Sequence, residues 1–170
     1  SVTTTTGSTA TGLVAAYAFN AGTGTTVADA SGNNNTGTIT GATWNTTGKF
    51  GNSLTFNGTT NVVLINPSNT LNLTTAMTLE AWIYPTAAQS RWRTILQREP
   101  DAYLLHAGSV NFGDLQPTAG GTFGSTFDLL GAPSAIPLNT WSHLALTWDG
   151  ATMRLYVNGT QVATKARTGT

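Results

Sequence analysis

Cysteine is absent from the chain. That excludes thiol catalysis, zinc ribbons and iron–sulfur sites, and it leaves the compartment open, because a secreted domain of this size needs no disulfides. Charge is scarce: Asp, Glu, Lys and Arg make up 8% of the 170 residues, against about 25% in an ordinary soluble domain. Seven basic and seven acidic side chains cancel, so there is no electrostatic footprint for nucleic acid or for an anionic membrane surface. No apolar run approaches the roughly 18 residues of a membrane-spanning helix, and no segment keeps a helical period. No signal peptide is visible, and the chain opens on Ser1 rather than Met, which reads as a mature or excised fragment.

Threonine fills the space left by charge, with 34 residues, joined by 14 Asn and 19 Gly. Thr, Val, Tyr and Trp favour pleated sheet, and Gly with Asn favours turns. Frequent aromatics and zero net charge argue against disorder. The composition therefore predicts an all-β chain, long enough for one domain with a tail and for a core without metal or disulfide staples.

Residues 1–11, SVTTTTGSTAT, read as a Thr/Ser linker, or as an arm able to pair with a sheet edge. From Gly12 the pattern is strand and turn. GLVAAYAF (12–19) is short enough for a buried strand, and 21–37 is a polar loop with Asp29 as its one charge. TITGATW (38–44), SLTFN (53–57) and NVVLI (61–65) read as strands, with Asn57-Gly58 as a hairpin signal between the last two. In MTLEAWIY (77–84), Met77, Leu79, Ala81 and Ile83 take one face, and Thr78, Glu80, Trp82 and Tyr84 the other. Short strands follow at 93–98, 102–106 and 109–113, and 114–137 reads mainly as loop. WSHLALTWDGATMRLYVNGTQVAT (141–164) reads as three strands joined by Asp149-Gly150 and Asn158-Gly159. Many short strands at regular turn spacing predict an antiparallel β-sandwich or jelly roll.

From GLVAAYAF through GKFGNSLTFNG (48–58), TLEAWIYP (78–85) and RTILQRE (93–99) to the Trp141–Thr164 block, the chain resembles the bacterial laminin-G-like, concanavalin-A-like jelly-roll family. The resemblance covers about residues 12–168. It implies two curved antiparallel sheets, a secreted or surface-displayed setting, roles in carbohydrate binding, protein binding or adhesion, and frequently a structural calcium ion. Family members usually continue through further strands after the Asn-Gly hairpin, whereas here the sequence stops eleven residues past Gly159. The expectation is a jelly roll lacking its last strands, either as an excerpt or clipped chain, or completed by neighbouring copies.

Four places carry candidate chemistry. Asp29, Ser31, Asn33 and Asn34 in DASGNN offer oxygens of the kind calcium takes, at the loop that the resemblance places near a structural calcium; the alternative is Asx turns. Arg91-Trp92-Arg93 stands at a loop-to-strand junction, where Trp92 would stack a sugar ring and the arginines bond its hydroxyls, or where Trp92 covers the core edge. Trp82 and Tyr84 form an aromatic platform if their face is open, and core if 114–137 covers it, which is the default for large apolar side chains. Glu99 and Asp101 are the one close acidic pair, the kind glycoside hydrolysis would use; the resemblance implies a Glu-x-Asp-x-x-Glu strand for some glycosidases of this sandwich, whose third acid is missing here, and Pro100 disfavours a central strand. His106 and His143 have no ligand-spaced partner, and His143 is expected to fix a backbone carbonyl.

The sequence thus reads as a non-catalytic extracellular or cell-surface recognition or adhesion module. Its expected partners are a glycan, the default ligand, or an extracellular protein, with no nucleic acid and no membrane insertion. One rival is a structural subunit of an extracellular fibre or surface layer, completed by strand exchange between copies. The other is a glycoside hydrolase.

Overall fold

The structure is a computed structural model that describes residues 11–88 and 91–169. Apart from Thr11, the N-terminal arm lies outside those residues. The chain divides into two compact units, Ser1–Asn72 and Leu73–Thr170.

The first unit holds β1 (Thr26–Val27), β2 (Gly37–Thr40), β3 (Thr43–Asn45), β4 (Ser53–Thr55), β5 (Val62–Ile65) and a 3-10 turn at Asn69–Leu71. One sheet runs β1-β2-β5, and β3 pairs with β4. Gly37 is required where β2 crosses the sheet, since a Cβ there would lie 2.5 Å from Val63 and 2.8 Å from Val27. Three expectations are corrected here. The run 38–44 is two strands, divided at Gly41, whose φ is +75°. Asn57-Gly58 makes no hairpin, because β4 and β5 pair with other strands. Instead Asn57 Oδ1 accepts the amides of Thr59, Thr60 and Asn61 at 3.0, 3.0 and 3.1 Å, and this closed side-chain loop lets the chain change sheets. Segment 12–19 is neither a ladder strand nor buried; it is held by loop 29–35 through side-chain hydrogen bonds and one backbone bond, Ala30 N to Ala16 O.

The second unit holds β6 (Met77–Ile83), β7 (Thr94–Arg98), β8 (Tyr103–His106), β9 (Thr118–Phe123), β10 (Thr126–Gly131), β11 (Ser142–Trp148), β12 (Thr152–Val157) and β13 (Thr160–Ala166). Two four-stranded antiparallel sheets, β10-β9-β8-β7 and β13-β12-β11-β6, form a sandwich. Alternation places the core: Leu79, Leu146 and Leu155 align on one rung of the second sheet. They pack in one cluster with Tyr103, Leu105, Ala119, Phe123 and Leu130 of the first. Asp128 on β10 takes Lys165 at 2.6 Å and Arg167 at 3.8 Å, tying one sheet to the edge of the other.

Two more expectations are corrected in this unit. Residues 114–137 contain the β9–β10 hairpin. TAGGTF hides a strand because Gly is depleted in strands generally. Here the glycines let neighbours approach: a Cβ would stand 2.1 Å from Asp128 O at Gly120 and 2.3 Å from Ala102 O at Gly121. Residues 109–113 form a turn rather than a strand, closed by one bridge between Ser109 and Gly113.

The Asp149-Gly150 turn joins β11 to β12 as the sequence indicates. Asp149 accepts Arg154 Nη1 at 2.7 Å and the amides of Ala151 and Thr152 at 2.9 and 2.8 Å. The Arg154 bond above all, then the two amides, holds the carboxyl at about 2, below the ordinary 3.8. For a depressed carboxyl the contribution to stability is complete above the unfolded value and is lost as pH falls through the folded one. A carboxyl-carbon NMR titration is expected to place the Asp149 midpoint near about 2. Arg154→Ala is expected to move it back toward the ordinary aspartate value; an unmoved midpoint would contradict this account.

Candidate functional site

Strand β6 turns Met77 and Leu79 into the core, so Glu80, Trp82 and Tyr84 face outward. The β6–β11 register sets Trp82 opposite His143, with ring centroids 5.2 Å apart and planes at 48°. Beyond them, Tyr84 and Trp141 lie 5.5 Å apart at 56°. Four rings thus form a strip two rungs long on the outer face of the sheet. Trp82 is 39% and Tyr84 44% exposed, so the expectation that 114–137 covers this face is corrected: that segment supplies β9 and β10 of the opposite sheet. His143 Nε2 lies 3.5 Å from Glu80 Oε2, which puts a carboxylate beside the rings. Among the described residues, His143 bonds no carbonyl with its ring. Its backbone is fixed by Asn158, whose Oδ1 accepts His143 N and whose N donates to His143 O, both at 2.8 Å. Sequence reasoning does not single out Trp141, His143 and Glu80 as site residues, although pairing strand 77–84 with 141–148 aligns them.

Trp92 is elsewhere, two residues before β7. It is 40% exposed and stands edge-on to His106, with centroids 5.2 Å apart. His106 is 3% exposed, and burial pushes its pKa down to about 4 against the opposing pull of Asp101. The ring is therefore neutral at ordinary pH. Its Nε2 lies 3.4 Å from Thr94 Oγ1 and 3.2 Å from Gln97 Oε1. Gln97 Nε2 in turn donates to Glu99 at 3.0 Å and Asp101 at 2.9 Å. In the sequence these residues stand apart; the β7–β8 hairpin makes them one polar network. Arg91 is exposed, while Arg93 is half-buried, with its backbone bonded to Gly108 O at 2.9 Å and Ala107 N at 2.8 Å. The five residues expected to bind ligand fall in two separate places, Trp82 with Tyr84 and residues 91–93.

The Asp29 loop belongs to the first unit. Asp29 Oδ1 accepts Ala16 N and Ser31 N, both at 2.9 Å, and Oδ2 accepts Ser31 Oγ at 2.7 Å and Asn35 N at 3.0 Å. Asn33 turns its amide nitrogen to Val14 O at 3.1 Å, and Asn34 is exposed with a φ of 59°. Four donors point at the one carboxylate, so this arrangement does not fit calcium, which needs oxygens with free lone pairs. Among the described residues no group of three or more His, Cys, Asp or Glu converges on one point. Asn35, which residue type alone does not distinguish from its neighbours, is buried like Ser31 and helps to close the loop.

A two-sheet antiparallel sandwich with exposed aromatic rings along one sheet defines an all-β sandwich with a candidate binding face. The chain belongs to the Laminin_G_3 family, described as the concanavalin A-like lectin/glucanases superfamily, which its residues 56–170 match. Among solved structures, domain 4 of AbnA, a GH43 extracellular arabinanase from Geobacillus stearothermophilus in complex with arabinotriose, is 19% identical. That likeness covers 82% of this chain and 69% of that one, with a TM-score of 0.63. An S-layer domain-containing protein from Clostridium thermocellum is 20% identical over 92% of this chain and 73% of that chain, with a TM-score of 0.51. A candidate carbohydrate-binding protein from Bacteroides ovatus is 22% identical over 55% of this chain, with a TM-score of 0.47, and the match spans 26% of that protein's length. No curated protein matches the chain significantly. Among the described residues no helix is long and apolar enough to cross a membrane.

Proposed function

We propose that this chain is a non-catalytic carbohydrate-recognition module of an extracellular or surface-displayed protein. The observation that carries the reading is the strip of exposed Trp82 and Tyr84 with half-buried His143 and Trp141, and Glu80 beside it. Aromatic faces take the apolar C–H face of a sugar ring, and a neighbouring carboxylate accepts its hydroxyls. Pairing across β6 and β11 fixes the rings before a ligand arrives, which lowers the ordering cost of binding. Trp92, linked through His106 to Gln97 and so to Glu99 and Asp101, is a second place of similar chemistry. The arabinanase domain of the same fold, solved with arabinotriose, supports the reading by analogy of fold, as does the extracellular setting of its parent enzyme.

Glu99 and Asp101 share one donor, Gln97 Nε2, and both lie exposed on the turn after β7. Dividing acid and base roles between two carboxylates takes unlike environments, and this arrangement favours binding over hydrolysis.

Affinity electrophoresis through gels containing arabinan, xylan or β-glucan tests the reading. At least one polysaccharide is expected to retard the wild type without being degraded. Trp82→Ala and Tyr84→Ala are each expected to weaken that binding about tenfold or more, the scale of truncating an aromatic anchor, with the melting temperature little changed. Equal retardation of wild type and both variants, or none with any glycan, would sink the proposal.

A further inference from the structure

We propose that the loop at residues 29–35 is an anion site occupied in cis by Asp29, and that this carboxylate, rather than a metal ion, fastens segment 13–17. The loop lies wholly in the first unit, so its role is independent of the glycan-binding reading.

The polarity of the loop carries the proposal. Two backbone amides, Ala16 N and Ser31 N, point at Oδ1, and Asn35 N with the Ser31 hydroxyl points at Oδ2, all within 3.0 Å. Three of these four donors are main-chain groups, which no side-chain flip can turn into acceptors. The carbonyls a cation would need are also taken. Val14 O accepts Asn35 Nδ2 at 2.8 Å, Asn33 Nδ2 at 3.1 Å and Ser31 Oγ at 3.1 Å. Ala16 O accepts Ala30 N at 2.8 Å, and Asn35 O accepts the Tyr17 hydroxyl. Converting the loop to a calcium cage would mean turning away most of these donors. Converging backbone N–H groups form a nest for negative charge instead. Burial alone would raise the Asp29 carboxyl, but the bonds from Ser31, Ala16 and Asn35 outweigh it and hold the group below its ordinary value.

The consequence concerns segment 13–17, which belongs to no strand. Its main chain is fastened by the carboxylate at Ala16, by three side chains at Val14 and by the Ala30–Ala16 bond. Loss of Asp29 would leave converging donors without an acceptor and a gap of carboxylate size.

Hydrogen exchange of the Ala16, Ser31 and Asn35 amides, read by NMR, tests this. In the wild type, excess EDTA and millimolar calcium are expected to give the same exchange rates and the same melting temperature. Asp29→Ala is expected to speed exchange of the three amides about tenfold or more. Sodium formate or acetate is expected to restore part of that protection, while sodium chloride at equal ionic strength and calcium chloride are not. Asp29→Asn, which keeps the shape without the charge, is expected to fall between. Slower exchange or a higher melting temperature with calcium in the wild type would overturn the proposal, and that arm stands even if Asp29→Ala does not fold. So would rescue of a folded Asp29→Ala by calcium, or its failure to respond to formate and acetate.

Discussion

Replacing Trp148 by alanine is expected to cost the sandwich about 3–5 kcal/mol, the range for removing a buried Trp from a packed core. Trp148 is buried at the end of β11 and meets Phe123 of the opposite sheet with ring centroids 4.8 Å apart. Its indole N–H donates to Arg167 O at 2.7 Å, while the Arg167 guanidinium lies 5.9 Å from the Phe123 ring centre. One side chain therefore joins both sheets and the segment after β13. The alanine variant loses the ring contacts, leaves a cavity and strips Arg167 O of its donor. Trp148→Phe keeps one ring in the pocket but loses the N–H and part of the indole volume, and is expected to cost less than the alanine change, about 1–3 kcal/mol. Chemical denaturation would show both as lower midpoints with little change of slope. An alanine variant less than about 1 kcal/mol below the wild type would refute this account of the junction, given the usual cost of such a truncation.

Valine at Gly121 is the second large effect, expected to cost about 3 kcal/mol or more, at the upper end of overpacking. An added Cβ would sit 2.3 Å from Ala102 O and 2.8 Å from Tyr103 Cα. Both obstacles are backbone in the neighbouring strand or just before it, so no rotamer change relieves them. Strands β8 and β9 would have to part, and the first sheet carries core residues on both. Gly159 is the control. It has a φ of +80°, and an added Cβ there would meet nothing within 4 Å, so Gly159→Ala is expected to cost only the left-handed penalty of about 1–2 kcal/mol. If Gly159→Ala proved the more damaging, close approach would not be the reason for glycine in β9.

The contrast between those glycines also marks what a sequence reader sees. Asn158-Gly159 is legible because a tight turn between alternating strands is a local pattern. Gly120 and Gly121 are not, because their reason lies in Asp128 and Ala102, on neighbouring segments. Their hairpin reads as loop on composition for that reason. The error propagates: a loop at 114–137 would be free to cover Trp82 and Tyr84, whereas a hairpin built into the opposite sheet leaves them exposed. The Asp29 loop shows the same limit. The residue types suit calcium or an Asx turn, and the direction of the donors is what separates them.

Residue order alone is enough for the all-β class, the alternation of β6, β11 and β12, and the turns at Asp149-Gly150 and Asn158-Gly159. These rest on period-two burial and on turn chemistry, both confined to a few neighbouring residues. Packing in three dimensions was needed to pair β4 with β3 and β5 with β2, and to join Trp92 to His106 and Gln97. It was needed too for four rings to line up on one face with Trp82 and Tyr84 exposed, and for Asp29 to face backbone N–H groups. Each of these depends on which distant segment comes to lie alongside. Pairing partners and burial are set by the packing of the whole unit, and no local pattern carries that information.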